Sequence, residues 1–327
     1  MHNDPIADAQ AMLAAGRHAD AVALVARHAA AGDAAALFQQ GMWHLTGVPL
    51  PRDVPAARAL LRQATERGSI DAGLIEVALT GNGSGATADW ARAVSLLEQV
   101  ARHSEQATGE LGLLRKMALT ATGAPAQSPK PRKIGERPNV YHIPELFSSE
   151  ECLHVAQCAV DILKPAVVVD PRTGRDMANP VRTSDAAVIG PTRETLVIQA
   201  LNRRLAAVTG TDWRQGEALS VLRYQPGQQF RPHVDTLPGT RNQRIRTVLI
   251  YLNEGFSGGA TYFVHNALRV VPRAGDAIIF DNVRTDGSID PLSQHAGEPV
   301  TNGVKWLATR WIRMRPFSPW TGPEHIA

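Results

Sequence analysis

The sequence predicts two domains in series, an all-α helical repeat array followed by an α+β domain whose sheet folds into a sandwich or barrel. Three observations carry this prediction. The first 120 residues are alanine-rich and internally repetitive, residues 121–139 are rich in proline and basic residues, and the remainder alternates short β-rich runs with turns. A chain of 327 residues also fits two domains of ordinary size better than one.

Residues 1–120 hold 28 alanines but three aromatic residues, Phe38, Trp43 and Trp90. The stretch from Asp53 realigns on the stretch from Asp89 at an offset of 36, pairing Ala57 with Ala93, Leu60 with Leu96, Leu61 with Leu97 and Gln63 with Gln99. A looser copy starts at Asp20. Each copy opens on an aspartate suited to an N-cap and then places small and aliphatic residues at helical spacing. Alanine lets paired helices approach closely, so stacked helix-turn-helix units are expected. The pattern resembles Sel1-like repeats, which are related to tetratricopeptide repeats. That resemblance implies a protein-binding surface, and so a protein or peptide substrate engaged by the repeats.

Residues 121–139 carry prolines at 125, 129, 131 and 138, with Lys130, Arg132, Lys133 and Arg137 against Glu136. Proline blocks helix and the charges favour solvent, so an extended linker is expected. The net charge of +3 sits largely in this segment, whereas residues 1–120 hold ten basic against twelve acidic residues. Nucleic-acid binding needs a clustered basic face, so the pI near 9.1 does not favour it. No run of 18 apolar residues is present and the first residues lack a signal-peptide pattern, so a cytoplasmic protein with no membrane span is expected. Cys152 and Cys158, six apart on one helix, face different directions and are not expected to bridge.

In residues 140–327, Ser148-Ser-Glu-Glu151 reads as a capping box opening a helix to about residue 160. A second helix is expected over 194–208, ended by Gly210, and strands over 217–224, 246–252, 261–264, 277–280 and 305–313. Residues 255–259 read as a hairpin turn. His233 and Asp235 are two apart, so on a strand both leave the same face. With His295 they supply two imidazoles and a carboxylate, the facial set of non-haem Fe(II) oxygenases. Alternation over 305–313 sends Lys305, Leu307, Thr309 and Trp311 to one face. A buried ammonium there needs an anion, which the carboxylate of a bound cosubstrate would supply; the alternative is a lysine at the exposed end of its strand.

Taken together, these blocks resemble the catalytic domain of the prolyl 4-hydroxylase family of 2-oxoglutarate- and Fe(II)-dependent dioxygenases. The matching segments are Phe147-Ser-Ser-Glu-Glu-Cys152, Arg182-Thr-Ser184, Arg223-Tyr-Gln-Pro-Gly227, Pro232-His-Val-Asp235, Thr247-Val-Leu-Ile-Tyr-Leu-Asn253, Gly258-Gly-Ala-Thr-Tyr-Phe263, Val271-Pro-Arg-Ala-Gly-Asp-Ala-Ile-Ile-Phe280, His295-Ala-Gly-Glu-Pro-Val300 and Gly303-Val-Lys-Trp306. The resemblance implies a double-stranded β-helix (jelly-roll), with Fe(II) on His233, Asp235 and His295. It further implies 2-oxoglutarate held by Lys305 with help from Tyr224 and Thr261, O2 as co-reactant, and L-ascorbate as reductant. The implied products are succinate, CO2 and a hydroxylated side chain. Halogenating relatives replace the metal carboxylate with a small residue, so Asp235 favours hydroxylation. Ala260 stands where the family usually has an acidic residue.

The same resemblance implies a substrate-covering loop over 168–179. Arg244 and Arg313 are candidate contacts to substrate backbone, while Trp306 and Trp311 are read as core. His44, His103, His142 and His265 have no ligand-spaced partners. Two other functions compete with prolyl hydroxylation. One is oxygenation of another residue, a small molecule or a nucleobase; the other is a repeat scaffold whose oxygenase domain senses iron, oxygen or 2-oxoglutarate. Lys305 counts against nucleobase demethylation, because such relatives hold the cosubstrate with arginine.

Overall fold

The computed structural model describes residues 4–169, 176–178 and 181–323. They divide into two compact units. The first comprises Met1–Met117, Ala121–Gly123 and Pro191–Gln199; the second comprises Ala118–Thr120, Ala124–Gly190 and Ala200–Ala327.

The first unit is helical: α1 (Pro5–Ala14), α2 (His18–Ala30), α3 (Ala34–Thr46), α4 (Val54–Glu66), α5 (Ile70–Asn82), α6 (Trp90–Ala101) and α7 (Glu105–Lys116). Helices α2, α4 and α6 begin at residues 18, 54 and 90, so the hairpins α2–α3, α4–α5 and α6–α7 recur at the sequence offset of 36. The repeat pairs serve matching roles. Asp53 and Asp89 cap α4 and α6 by accepting from Ala56 N and Arg92 N, both at 2.9 Å. Ala57, Ala93, Leu61 and Leu97 are all fully buried. In the earliest copy the expected cap is not Asp20. Arg17 stands at the N-cap with no side-chain cap bond, and Asp20, one turn in, instead accepts from Arg17 Nε at 2.7 Å. Between α4 and α5 lies a buried ion pair: Arg58 reaches Glu76 at 2.8 Å, Thr80 at 2.7 Å and the Ser84 carbonyl at 3.1 Å.

In the second unit, α8 (Ser149–Val160) opens on the expected capping box. Ser148 Oγ accepts from Glu151 N at 3.2 Å and Glu151 Oε2 accepts from Ser148 N at 2.8 Å. Helix α9 spans Leu196–Thr209, with Leu196–Gln199 belonging to the first unit and the rest to the second, and is followed by Gly210 at φ +65. The strands are β1 (Arg132–Gly135), β2 (Val140–Ile143), β3 (Lys164–Pro165), β4 (Val167–Val169), β5 (Asp176–Ala178), β6 (Asp185–Ile189), β7 (Leu219–Tyr224) and β8 (Phe230–His233). They continue as β9 (Arg244–Tyr251), β10 (Ser257–Gly258), β11 (Thr261–Phe263), β12 (Leu268–Val270), β13 (Ala277–Asp281), β14 (His295–Gly297), β15 (Val300–Asn302) and β16 (Lys305–Arg313).

An eight-stranded sheet runs β1-β2-β13-β9-β16-β7-β6-β3, and a four-stranded sheet runs β12-β11-β14-β8, with every pairing antiparallel. Alternate residues of the large sheet share one core with Phe263 of β11 in the small one: Tyr224 on β7, Tyr251 on β9, Phe280 on β13 and Leu307 on β16. Burying each such side chain contributes roughly 1.5–3 kcal/mol. Their neighbours Val248, Ile250, Ile279 and Ala308 are buried on the opposite face, so the large sheet is covered on both sides. The architecture is the double-stranded β-helix expected from the resemblance.

Two details depart from the sequence reading, and a third expectation falls largely outside the described residues. Within the expected linker, Arg132–Gly135 pairs with β2 as an edge strand. Residues 255–259 form no hairpin, because Ser257–Gly258 pairs with β15 as the chain passes from the large sheet to the small one. The expected substrate-covering loop falls largely on residues 170–175 and 179, outside the described residues; β4 and β5 flank it as an antiparallel pair. Among the described residues, no helix is long and apolar enough to cross a membrane.

Candidate metal centre

Strands β8 and β14 are antiparallel neighbours, and their register sets His233 opposite His295. Directly opposed side chains on one face of such a pair stand close together, so the register alone brings the imidazoles side by side. Their ring centroids are 4.3 Å apart. Asp235 corrects the sequence reading in one respect, because β8 ends at His233 and Asp235 lies in a bend beyond it. Its carboxylate still converges, with Oδ1 3.5 Å from His233 Nε2 and Oδ2 3.7 Å from His295 Nε2. One donor atom from each residue lies within 4.8 Å of the other two.

The outer atoms fix which donors face inward. His233 Nδ1 lies 2.8 Å from the Arg231 carbonyl, and His295 Nδ1 lies 3.0 Å from the Ser293 carbonyl. A carbonyl only accepts, so each Nδ1 carries the proton and each Nε2 lone pair is left for a ligand. The Thr247 hydroxyl donates to Asp235 Oδ2 at 2.6 Å, and Asn282 Nδ2 donates to Thr247 Oγ1 at 2.9 Å. A carboxylate only accepts, so the single hydroxyl proton points at Asp235 and the amide must supply the second donor. Thr247 and Asn282 are both fully buried.

Burial lowers the His295 pKa to about 4, so its imidazole is neutral at pH 7, the form that ligates a metal. Burial alone would raise the Asp235 carboxyl. The adjacent His295 and His233 and the Thr247 hydroxyl outweigh it and hold the group below the usual carboxylate range. Two imidazoles that present Nε2 and one carboxylate, with their far atoms already tied, fit Fe(II) with coordination positions left open.

Lys305, Leu307, Thr309 and Trp311 all line the cavity that contains these three residues, as the alternation over β16 requires. Trp311 therefore faces the site and is not simply core. Lys305 is 2% exposed and donates to the Gly259 carbonyl at 2.6 Å, its one hydrogen bond among the described residues. Its Nζ sits 4.6 Å from the Tyr251 ring centroid and 5.4 Å from that of Tyr224. Burial pushes its pKa down to about 7, opposed by Glu298. Tyr224 is its cross-strand partner, and burial pushes the phenol up to about 12. Thr261 meets the Tyr251 hydroxyl at 2.7 Å.

Tyr251, Thr247 and Asn282 escape sequence reasoning. Each sits in a β-run or at its end, where its apolar neighbours dominate the pattern. Arg244 and Arg313, candidates for substrate contact, both bind Glu217 at 2.6 Å. Arg244 also lies over the Trp311 ring at 4.0 Å and donates to the Asp235 carbonyl at 3.2 Å. His44 and His142 are satisfied by the Pro51 carbonyl and by Asp276. Cys152 and Cys158 form no disulfide, and Cys158 Sγ lies 3.5 Å from His154 Nε2.

The profile of the 2OG-Fe(II) oxygenase superfamily matches residues 219–313, from the start of β7 to the end of β16. The chain is 33% identical over 208 residues to prolyl 4-hydroxylase 1 of Arabidopsis thaliana, an alignment spanning 58% of this chain and 74% of that protein. It is similar to the viral collagen prolyl hydroxylase from Paramecium Bursaria Chlorella virus-1, solved as a 2OG complex. There the identity is 25% and the TM-score 0.43, over 53% of this chain and 95% of that one. The Sel1 repeat protein from Oxalobacter formigenes aligns at 23% identity with a TM-score of 0.28, over 30% of this chain and 40% of that one.

Proposed function

Since the chain belongs to the prolyl 4-hydroxylase family of 2-oxoglutarate- and Fe(II)-dependent dioxygenases, we propose that it hydroxylates a prolyl side chain in a protein or peptide. We assign the chemistry to residues 140–327 and recruitment of the substrate to the helical repeats of residues 1–120. The observation that carries this reading is the inward-facing His233, Asp235 and His295 donor set, sharing one cavity with the buried Lys305 ammonium.

His233, Asp235 and His295 hold Fe(II) through Nε2, a carboxylate oxygen and Nε2. Bound iron supplies oxygen activation coupled to oxidative decarboxylation of 2-oxoglutarate to succinate and CO2. Thr247 fixes the Asp235 carboxylate so that its orientation is set before the metal arrives. Lys305 pairs with the distal carboxylate of 2-oxoglutarate, a direct counter-charge for a group whose one hydrogen bond among the described residues goes to the Gly259 carbonyl. Tyr224 and Thr261 add hydroxyl hydrogen bonds to that carboxylate, and Tyr251 orients the Thr261 hydroxyl. L-ascorbate is the reductant in this proposal. The reduced Cys152 and Cys158 thiols fit a cytoplasmic address.

The test incubates purified protein, Fe(II) and 2-oxoglutarate with cell extract, followed by mass spectrometry of the peptides. Peptides gaining one oxygen at proline are expected. Oxygen gained only at other residues, or on small molecules, would overturn the prolyl assignment.

A further inference from the structure

The helical unit contains a groove that the chemistry above does not use. A cavity of about 400 Å³ opens between α4, the start of α5 and α6. Arg62, Arg92, Arg102 and His103 line it around an apolar floor that includes Leu96 and Val100. Of its two lining carboxylates, Glu76 is already bound by Arg58 and Arg62, which leaves Glu66. The guanidinium groups of Arg92 and Arg102 make no hydrogen bond or ion pair among the described residues, and both residues are exposed.

The repeat itself shows that this groove is not a generic property of the array. One period of 36 earlier, Arg62 and Arg92 correspond to Ala26 and Ala56, and Arg102 corresponds to Glu66. Gly73 corresponds to Leu37, a side chain that is buried at 2% exposure. Loss of that side chain at 73 lets α5 lie close to α6, where an added Cβ would stand 2.7 Å from Val100 Cγ2. The second hairpin junction has thus lost a bulky apolar residue and gained arginines at 62, 92 and 102, while His103 stands where the earlier junction has Arg67, within a stretch that carries more acidic than basic residues.

We propose that this groove binds an acidic segment of the protein substrate, at a distance in sequence from the proline that reacts. Aspartate and glutamate side chains pair with Arg92, Arg102 and the exposed part of Arg62, while an aliphatic side chain of the segment covers Leu96 and Val100. The proposal rests on the reading that the substrate is a protein or peptide. Opposed charges at an exposed rim set encounter rate and selectivity and are screened by salt.

The probe is a fluorescein-labelled short peptide alternating Asp and Glu with Leu, titrated by anisotropy against the full chain. Combining Arg92→Glu with Arg102→Glu should weaken binding about tenfold, and so should replacing the probe's acids by Gln and Asn. Joining the acidic segment to a prolyl peptide should lower its KM in the wild type and leave it unchanged in the variant. A short prolyl peptide without the segment should turn over equally in both proteins. No binding of the acidic probe by the wild type, or equal binding by the variant, would overturn the groove assignment. Acidic-probe binding that follows the arginines, with no prolyl peptide hydroxylated, would leave the groove standing and remove the prolyl reading instead.

Discussion

Lys305→Met removes the buried ammonium while keeping much of its volume, and it isolates the energetic tension at the cosubstrate end of the site. In the folded chain without ligand the Lys305 pKa lies at about 7, against an ordinary value of 10.5. Between those values the unfolded chain holds the extra proton, so the lysine's contribution to stability improves as pH rises through the window. From pH 7 to pH 9 the wild type should gain about 2 kcal/mol relative to Lys305→Met, since each unit of pH is worth about 1.4 kcal/mol once the folded group is neutral. Urea unfolding of both proteins at the two pH values, without metal or 2-oxoglutarate, measures this difference. Added 2-oxoglutarate should then draw a proton back onto Lys305, which calorimetry in buffers of different ionisation enthalpy detects as proton uptake near pH 8. The variant should bind 2-oxoglutarate roughly 10–100-fold more weakly, the worth of one charge-assisted pair. A stability difference that does not change between pH 7 and pH 9 would refute the assignment of Lys305 as a lysine whose charged form burial disfavours in the ligand-free fold.

Thr247→Val should weaken binding of Co(II) or Mn(II) about 10–100-fold by freeing the Asp235 carboxylate, whereas Thr247→Ser should restore it, and both are read by titration of the apoprotein. Arg58→Ala should destabilise the protein by about 3–5 kcal/mol in chemical unfolding, because Glu76 is left buried without its main partner. The same substitution leaves the ligand set intact, so metal affinity should not change.

Wherever the information is local, the sequence is readable. Alternation over 305–313 needs only consecutive residues, and β16 sends Lys305, Leu307, Thr309 and Trp311 to one cavity as expected. The Ser148–Glu151 capping box and the period of 36 are legible for the same reason, since cap and repeat geometry depend on short fixed spacings. What escaped depends on register. Thr247 reaches Asp235 across 12 residues and Asn282 reaches Thr247 across 35, contacts created only when strands pair. Asp20 misled because an aspartate near a helix start can cap or pair with a neighbour, and Arg17 decided the outcome. Residues 132–135 carried linker composition but found an unpaired edge at β2.

The most direct test of the account is consumption of 2-oxoglutarate by the purified protein with Fe(II), a prolyl peptide and ascorbate, set beside Asp235→Ala and His295→Ala. 2-Oxoglutarate should disappear in step with appearance of a peptide one oxygen heavier, and both variants should lose turnover while remaining folded. A folded, Fe(II)-loaded wild type that consumes no 2-oxoglutarate with any prolyl peptide would contradict it.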